Sequence, residues 1–103
     1  CTGNTLAKLA NGIADTPVTL AAKAHLRNER PIVIAVSTND ALAGNAENIG
    51  KLLARGHYFF VPMRQDNAIK KPRSVVADFT RLSETIRAAL DGRQLQPLLA
   101  APA

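Results

Sequence analysis

The chain has 103 residues, of which 47% are apolar and 20% charged. That is the balance of one globular domain, far from the signature of disorder and too short for a second catalytic domain. The net charge of +5 is uneven: residues 1–50 carry four basic and four acidic side chains and residues 51–103 carry nine and four. The single cysteine, Cys1, excludes an internal disulfide framework, and no CxxC or Cys/His cluster is present to hold a structural metal, so a reducing cytoplasm is the expected compartment. No run approaches the roughly 18 apolar residues of a membrane span, and no basic region leads into an apolar one as in a signal peptide. The chain opens without Met on the turn into a helix, which suggests truncation.

Leu6, Leu9, Ala10 and Ile13 fall at helical spacing and predict a first helix over residues 5–14, capped by Asn4. Thr16 and Pro17 repeat the start signal before an alanine-rich helix over residues 18–27. After a break at residues 28–31, the β-branched run Ile32-Val33-Ile34-Ala35-Val36 reads as a buried parallel strand. A polar loop with Gly44 leads to a helix over residues 45–55 that carries Ile49, Leu52 and Leu53 on one face and stops at Gly56. Residues 57–61 read as a second buried strand ended by Pro62, which completes a right-handed strand, helix, strand unit. The expected class is therefore α/β.

Residues 63–73 read as a polar, basic loop, and Ser74 as the cap of a short helical turn. Leu82, Ile86, Ala89 and Leu90 line a last helix stopped by Gly92, after which residues 93–103, with Pro97 and Pro102, form an expected docking tail to a domain over residues 1–92. Two strands do not make an independent sheet, so further strands are expected from an upstream segment or a neighbouring chain.

Ligands in open α/β sheets bind beyond the carboxyl ends of the strands. Two segments qualify. Thr2-Gly3-Asn4-Thr5 offers two hydroxyls, an amide and a glycine at a helix start, where free N–H groups and the helix dipole favour an anion, or else it is a simple cap. Ser37-Thr38-Asn39-Asp40 follows the first strand directly. Asn39 can present donors to a carboxylate and Asp40 can act in proton transfer, unless the segment is only a polar turn. Lys70, Lys71 and Arg73 would suit an acidic substrate or form a solvated loop. His25 and His57 read as structural or exposed. There is no GxGxxG, Walker loop, HExxH or GxSxG, and the loop-localised charge with few aromatics argues against a nucleic-acid module.

The run from Thr2 to Asp15, Thr-Gly-Asn-Thr-Leu-Ala-Lys-Leu-Ala-Asn-Gly-Ile-Ala-Asp, resembles the segment that in flavin-dependent cysteine decarboxylases holds the phosphate of flavin mononucleotide. The resemblance implies the same role for Thr2, Gly3, Asn4 and Thr5, and a Rossmann-like or flavodoxin-like three-layer fold with helices on both faces of a parallel sheet. Val36-Ser37-Thr38-Asn39 falls where those enzymes carry Pro-Ala-Met-Asn; Asn39 is kept, and the missing Pro, Met and following Trp argue against cysteine decarboxylation. A fuller similarity spans Thr16-Pro17-Val18, Ala21-Ala22-Lys23-Ala24, Arg27-Asn28, Arg30-Pro31, residues 37–42, Gln65-Asp66, Lys70-Lys71-Pro72, Ser74 and Gln94-Leu95-Gln96-Pro97. In these the chain resembles the C-terminal half of the B-subunit family of dipicolinate synthases.

That resemblance implies a protein that works with a dehydrogenase-like partner subunit. Together they form dipicolinate from a dihydrodipicolinate-type intermediate, with NADP or NAD through the partner, in the mother cell of spore-forming bacteria. It implies possible FMN, no metal, and an oligomer. Asn39, Lys70, Lys71 and Arg73 would meet the dicarboxylate, with Asn39 and Asp40 nearest the chemistry. The alternatives are a flavin-dependent decarboxylase or prenyl-transferring flavoprotein of the same fold, and a non-catalytic stabilising subunit.

Overall fold

A computed structural model describes residues 1–100, so residues 101–103 of the expected tail lie outside the described residues. The elements run α1 (Gly3–Ala10), α2 (Pro17–Arg27), β1 (Ile32–Ile34), β2 (Ser37–Thr38), α3 (Ala46–Ala54), β3 (Tyr58–Phe60), β4 (Met63–Asn67), β5 (Lys71–Ala77), a 3-10 turn (Phe79–Arg81) and α4 (Leu82–Leu90).

The first helix starts two residues earlier and ends four earlier than its periodicity predicts. Thr2, not Asn4, is the cap, its hydroxyl accepting the Thr5 N–H at 3.4 Å. At the other end Gly12 sits at φ +71°, and the Ile13 N–H turns back to the Lys8 carbonyl at 2.9 Å, so Ile13 falls outside the helix. For α2 the expected start holds: Thr16 and Thr19 form a reciprocal capping box with Pro17 in the first turn.

β1 and β3 pair in parallel, Ile32 with Tyr58 through Ile34 with Phe60, around α3 as the expected crossover. Strand alternation divides the core. Ile34, Tyr58 and Phe60 join Leu6, Leu9, Ala22 and Leu52 of α1, α2 and α3 in one cluster. Phe59 and Val61 point the other way and are buried, as are Ala88 and Ala89 of α4, which packs on β1 and β3. Helices thus cover both faces of the parallel pair, as the α/β reading requires.

Residues 63–73 are not a loop, and Ser74 caps no helical turn. Residues 63–77 form a hairpin, and Ser74 is buried within β5. Beyond Val36 and Pro62 the two parallel strands part, and β5 enters between their continuations, antiparallel to β2 on one side and β4 on the other. The join is continuous: the Ala77 N–H donates to the Val36 carbonyl and the Asp78 N–H to the Pro62 carbonyl, each at 2.8 Å. The described residues therefore hold five strands where two were expected. The tail returns to this junction, with Leu99 bridging Met63 in parallel.

Candidate functional site

A cleft of about 600 Å³ opens where β1 gives way to β2, at the carboxyl end of the parallel pair. One wall is Thr2, Gly3 and Asn4 at the start of α1; another is Ser37, Thr38, Asn39 and Asp40; Asp66 and Ser74 of the hairpin face them. The two segments singled out in the sequence thus meet in one place, although 32 residues lie between Asn4 and Ser37. The N–H groups of Gly3 and Asn4 lie in the first turn of the helix and have no intrahelical acceptor.

Asp40 organises the floor. Its carboxylate accepts from the Thr38 hydroxyl at 2.7 Å and from the Asn45 amide at 2.9 and 3.0 Å, while its carbonyl accepts the Ala43 and Asn45 N–H groups at 2.9 and 3.1 Å. The Thr38 hydroxyl first, and then the Asn45 amide, hold this carboxyl below its ordinary value of 3.8. Asn45 in turn accepts from the Asn48 amide at 2.9 Å. Although Asn45 precedes α3, its side chain makes no cap hydrogen bond to that helix.

Gly3 stands against this cluster. A Cβ at that position would lie 2.5 Å from Asn45 Nδ2, 2.9 Å from Thr38 Oγ1 and 3.2 Å from Asp40 Oδ1. The chain's own amide, hydroxyl and carboxylate thus leave no room for a side chain at this position.

The remaining candidates lie elsewhere. Thr5 lines a separate, apolar groove with Val18, Ile32 and Phe79 on the far side of α1. Lys70, Lys71 and Arg73 are exposed along the outer half of the hairpin and do not line the cleft. Sequence reasoning missed Asn45, Asn48, Asp66 and Ser74. The spacing of Asn45 and Asn48, three apart on one helical face, was an available signal for the first two. Among the described residues no group of three or more His, Cys, Asp and Glu side chains could hold a metal ion. Among those same residues no helix is long and apolar enough to cross a membrane.

Hydroxyl, amide and backbone donors at a helix start, beside a strand-end loop, define a phosphate-compatible site on an α/β sheet. Residues 1–91 match the family model described as Flavoprotein, and the chain belongs to that family. It is 50% identical over 98 residues to the B subunit of dipicolinate synthase from Bacillus subtilis, covering 95% of this chain and 49% of the relative. It superposes with a TM-score of 0.95 and 49% identity on the crystal structure of the dipicolinate synthase B subunit from Bacillus halodurans, over 99% of this chain and 52% of that one. The chain spans about half the length of each of these relatives.

Proposed function

We propose that this chain carries the C-terminal half of a dipicolinate synthase B subunit. In this reading it acts with a dehydrogenase-like partner subunit, in the mother cell of a spore-forming bacterium, to form dipicolinate from a dihydrodipicolinate-type intermediate. NADP or NAD enters through the partner, and the protein itself assembles as an oligomer. The observation that carries the reading is the single cleft in which the α1 start and Asn39 stand together, on a chain half identical to a subunit of that name.

In the cleft, Thr2, Gly3 and Asn4 hold a phosphate, that of flavin mononucleotide in a family of flavoproteins, with Thr5 supporting the turn through its N–H to Thr2. A bound flavin supplies an electron and hydride acceptor. Asn39, exposed on the wall, donates its amide to a substrate carboxylate. Asp40, depressed by its two donors, stays ionised and serves as an acceptor that fixes the loop rather than as a proton donor. Lys70, Lys71 and Arg73 act at longer range, drawing a dianion toward the mouth of the site.

The test follows the ultraviolet absorbance of the aromatic product when the full-length protein, its partner, a freshly generated dihydrodipicolinate precursor and NADP are mixed. Growth that needs both proteins and falls with Asn39→Ala supports the reading; an equal rate from the partner alone removes it. A yellow purified protein would favour the flavin, and with it the decarboxylase alternative if no dipicolinate forms.

A further inference from the structure

Asn45 and Asn48 are 8% and 7% exposed, and two neutral amides taken that far out of water need full use of their hydrogen-bonding capacity. Neither is spent on the helix that carries it in the usual way. Asn45 stands at the N-cap of α3, where an Asn ordinarily accepts from the first-turn N–H groups, yet it makes no such bond. Its Nδ2 donates to both oxygens of Asp40, and its Oδ1 is taken by Asn48 Nδ2. The second bond fixes the first: with Asn48 donating to Oδ1, the amide of Asn45 can present only its NH₂ to Asp40. A run of side chains thus passes from the first turn of α3 to the loop that holds Asn39, and it closes on Gly3 of α1 with no room for a methyl group.

We infer that Asn45 and Asn48 are positioning residues: the Asn48, Asn45, Asp40 run locks the residue 37–40 loop against the starts of α1 and α3 and so sets where the Asn39 amide stands in the cleft. The inference rests on the proposed role of Asn39, and its experiment separates the two. Asn45→Asp keeps the size of the side chain but sets a second carboxylate against Asp40. Two carboxylates in contact share a proton, and one of them titrates well above the ordinary range. The shared proton restores the lost donor, so the lock becomes pH-dependent.

In the full chain, side-chain amide NMR signals of Asn39 should be constant from pH 5 to 8 in the native protein and move with the new carboxylate titration in Asn45→Asp. Affinity for dipicolinate, used as the probe, should fall about tenfold at pH 8 and recover on acidification, the size expected for losing one well-placed donor. Asn48→Ala, which leaves Asp40 its partner but frees the Asn45 amide to turn over, should shift the Asn39 signals at every pH; it serves if Asn45→Asp does not fold. Asn39 signals indifferent to the titration and to Asn48→Ala overturn the inference. Asn39 signals that move while dipicolinate affinity stays constant uphold the positioning and overturn the ligand assigned to the cleft.

Discussion

Gly3 is the residue on which the two halves of the site converge, and the reason is steric. A methyl group there would meet Asn45 Nδ2 at 2.5 Å and Thr38 Oγ1 at 2.9 Å, and both atoms are held by their own bonds to Asp40. The neighbours are short side chains on fixed backbone, so the clash moves backbone. Gly3→Ala should cost about 1–3 kcal/mol, the range for overpacking, read as a lower urea midpoint, and should shift the Asn39 amide signals as well. Asp40 itself gives a pH signature. Its folded pKa lies below the ordinary 3.8, chiefly because of the Thr38 and Asn45 donors. Its contribution is therefore fully present above 3.8 and is lost as the pH falls through the lower folded value. Asp78, whose carboxyl is lowered by the Thr80 hydroxyl and N–H, behaves alike. Asp40→Asn and Asp78→Asn should each be less stable than the native chain at pH 7, with the gap closing as acidification carries the native carboxyl through its lowered titration; a gap unchanged on acidification would deny the carboxylates this role.

At the scale of elements, the helix stops follow one rule with one exception. Gly12, Gly56 and Gly92 follow α1, α3 and α4 at φ +71°, +84° and +74°. α2 ends on the double backbone return that α1 and α4 also make, Arg30 N–H to His25 at 2.9 Å and Glu29 N–H to Leu26 at 3.0 Å, but the left-handed position is held by Glu29 at φ +55°. A side chain there costs about 1–2 kcal/mol relative to glycine. Glu29→Gly should therefore stabilise the chain by about 1 kcal/mol once the greater freedom of glycine in the unfolded chain is offset, read as a higher urea midpoint. The stop of α1 at Gly12 was hidden by Ile13, which continues the apolar spacing past it, but the stops at Gly56 and Gly92 and the parallel strands were legible because they rest on local chemistry, glycine after a periodic run and β-branched or aromatic residues in sequence. The hairpin was not. Its outer residues are exposed on both sides, so Arg64, Asp66, Lys71 and Arg73 show no alternation of apolar and polar, and Pro72 argued against a strand. Pro72 is tolerated because it falls where the β4–β5 register shifts, between the Gln65–Val75 and Asn67–Lys71 pairs, a break at which the regular ladder does not call on its N–H. The turn is closed by Asn67 accepting the Ile69 and Lys70 N–H groups at 3.1 and 3.0 Å, a signal present in the sequence but weak without its flanking pattern. The candidate site was half legible for the same reason: helix-start and strand-end polar residues stand out, whereas Asn45 reads as the first residue of a helix until its side chain is seen turned to Asp40.

For the whole molecule, the decisive feature is how the parallel pair is closed at its sides. One edge of β3 meets β1, and among the described residues the other meets no strand. Phe60, fully buried, would leave a backbone N–H and carbonyl without partners there, but the Gln94 side chain supplies both, its Oε1 accepting the Phe60 N–H at 2.7 Å and its Nε2 donating to the Phe60 carbonyl at 2.6 Å. A single amide thus stands in for a strand and ties the tail to the centre of the sheet. It acts together with the backbone bonds from Met63 to Leu98 and from Ala100 to Met63, each 2.8 Å. Removing it leaves two buried polar groups unpaired, each worth about 1–3 kcal/mol, so Gln94→Ala should lower stability by about 2–6 kcal/mol on that account. Gln94→Glu separates the two bonds. At neutral pH the new carboxylate still accepts the Phe60 N–H but faces the carbonyl without a proton. On acidification it gains the donor, so the deficit should narrow as the pH falls through its titration. Urea midpoints of the native chain and both variants at pH 7 and about 4.5 read this directly. A Gln94→Glu deficit that stays constant, or a Gln94→Ala chain as stable as the native one, would mean that β3 does not depend on the tail for its outer edge.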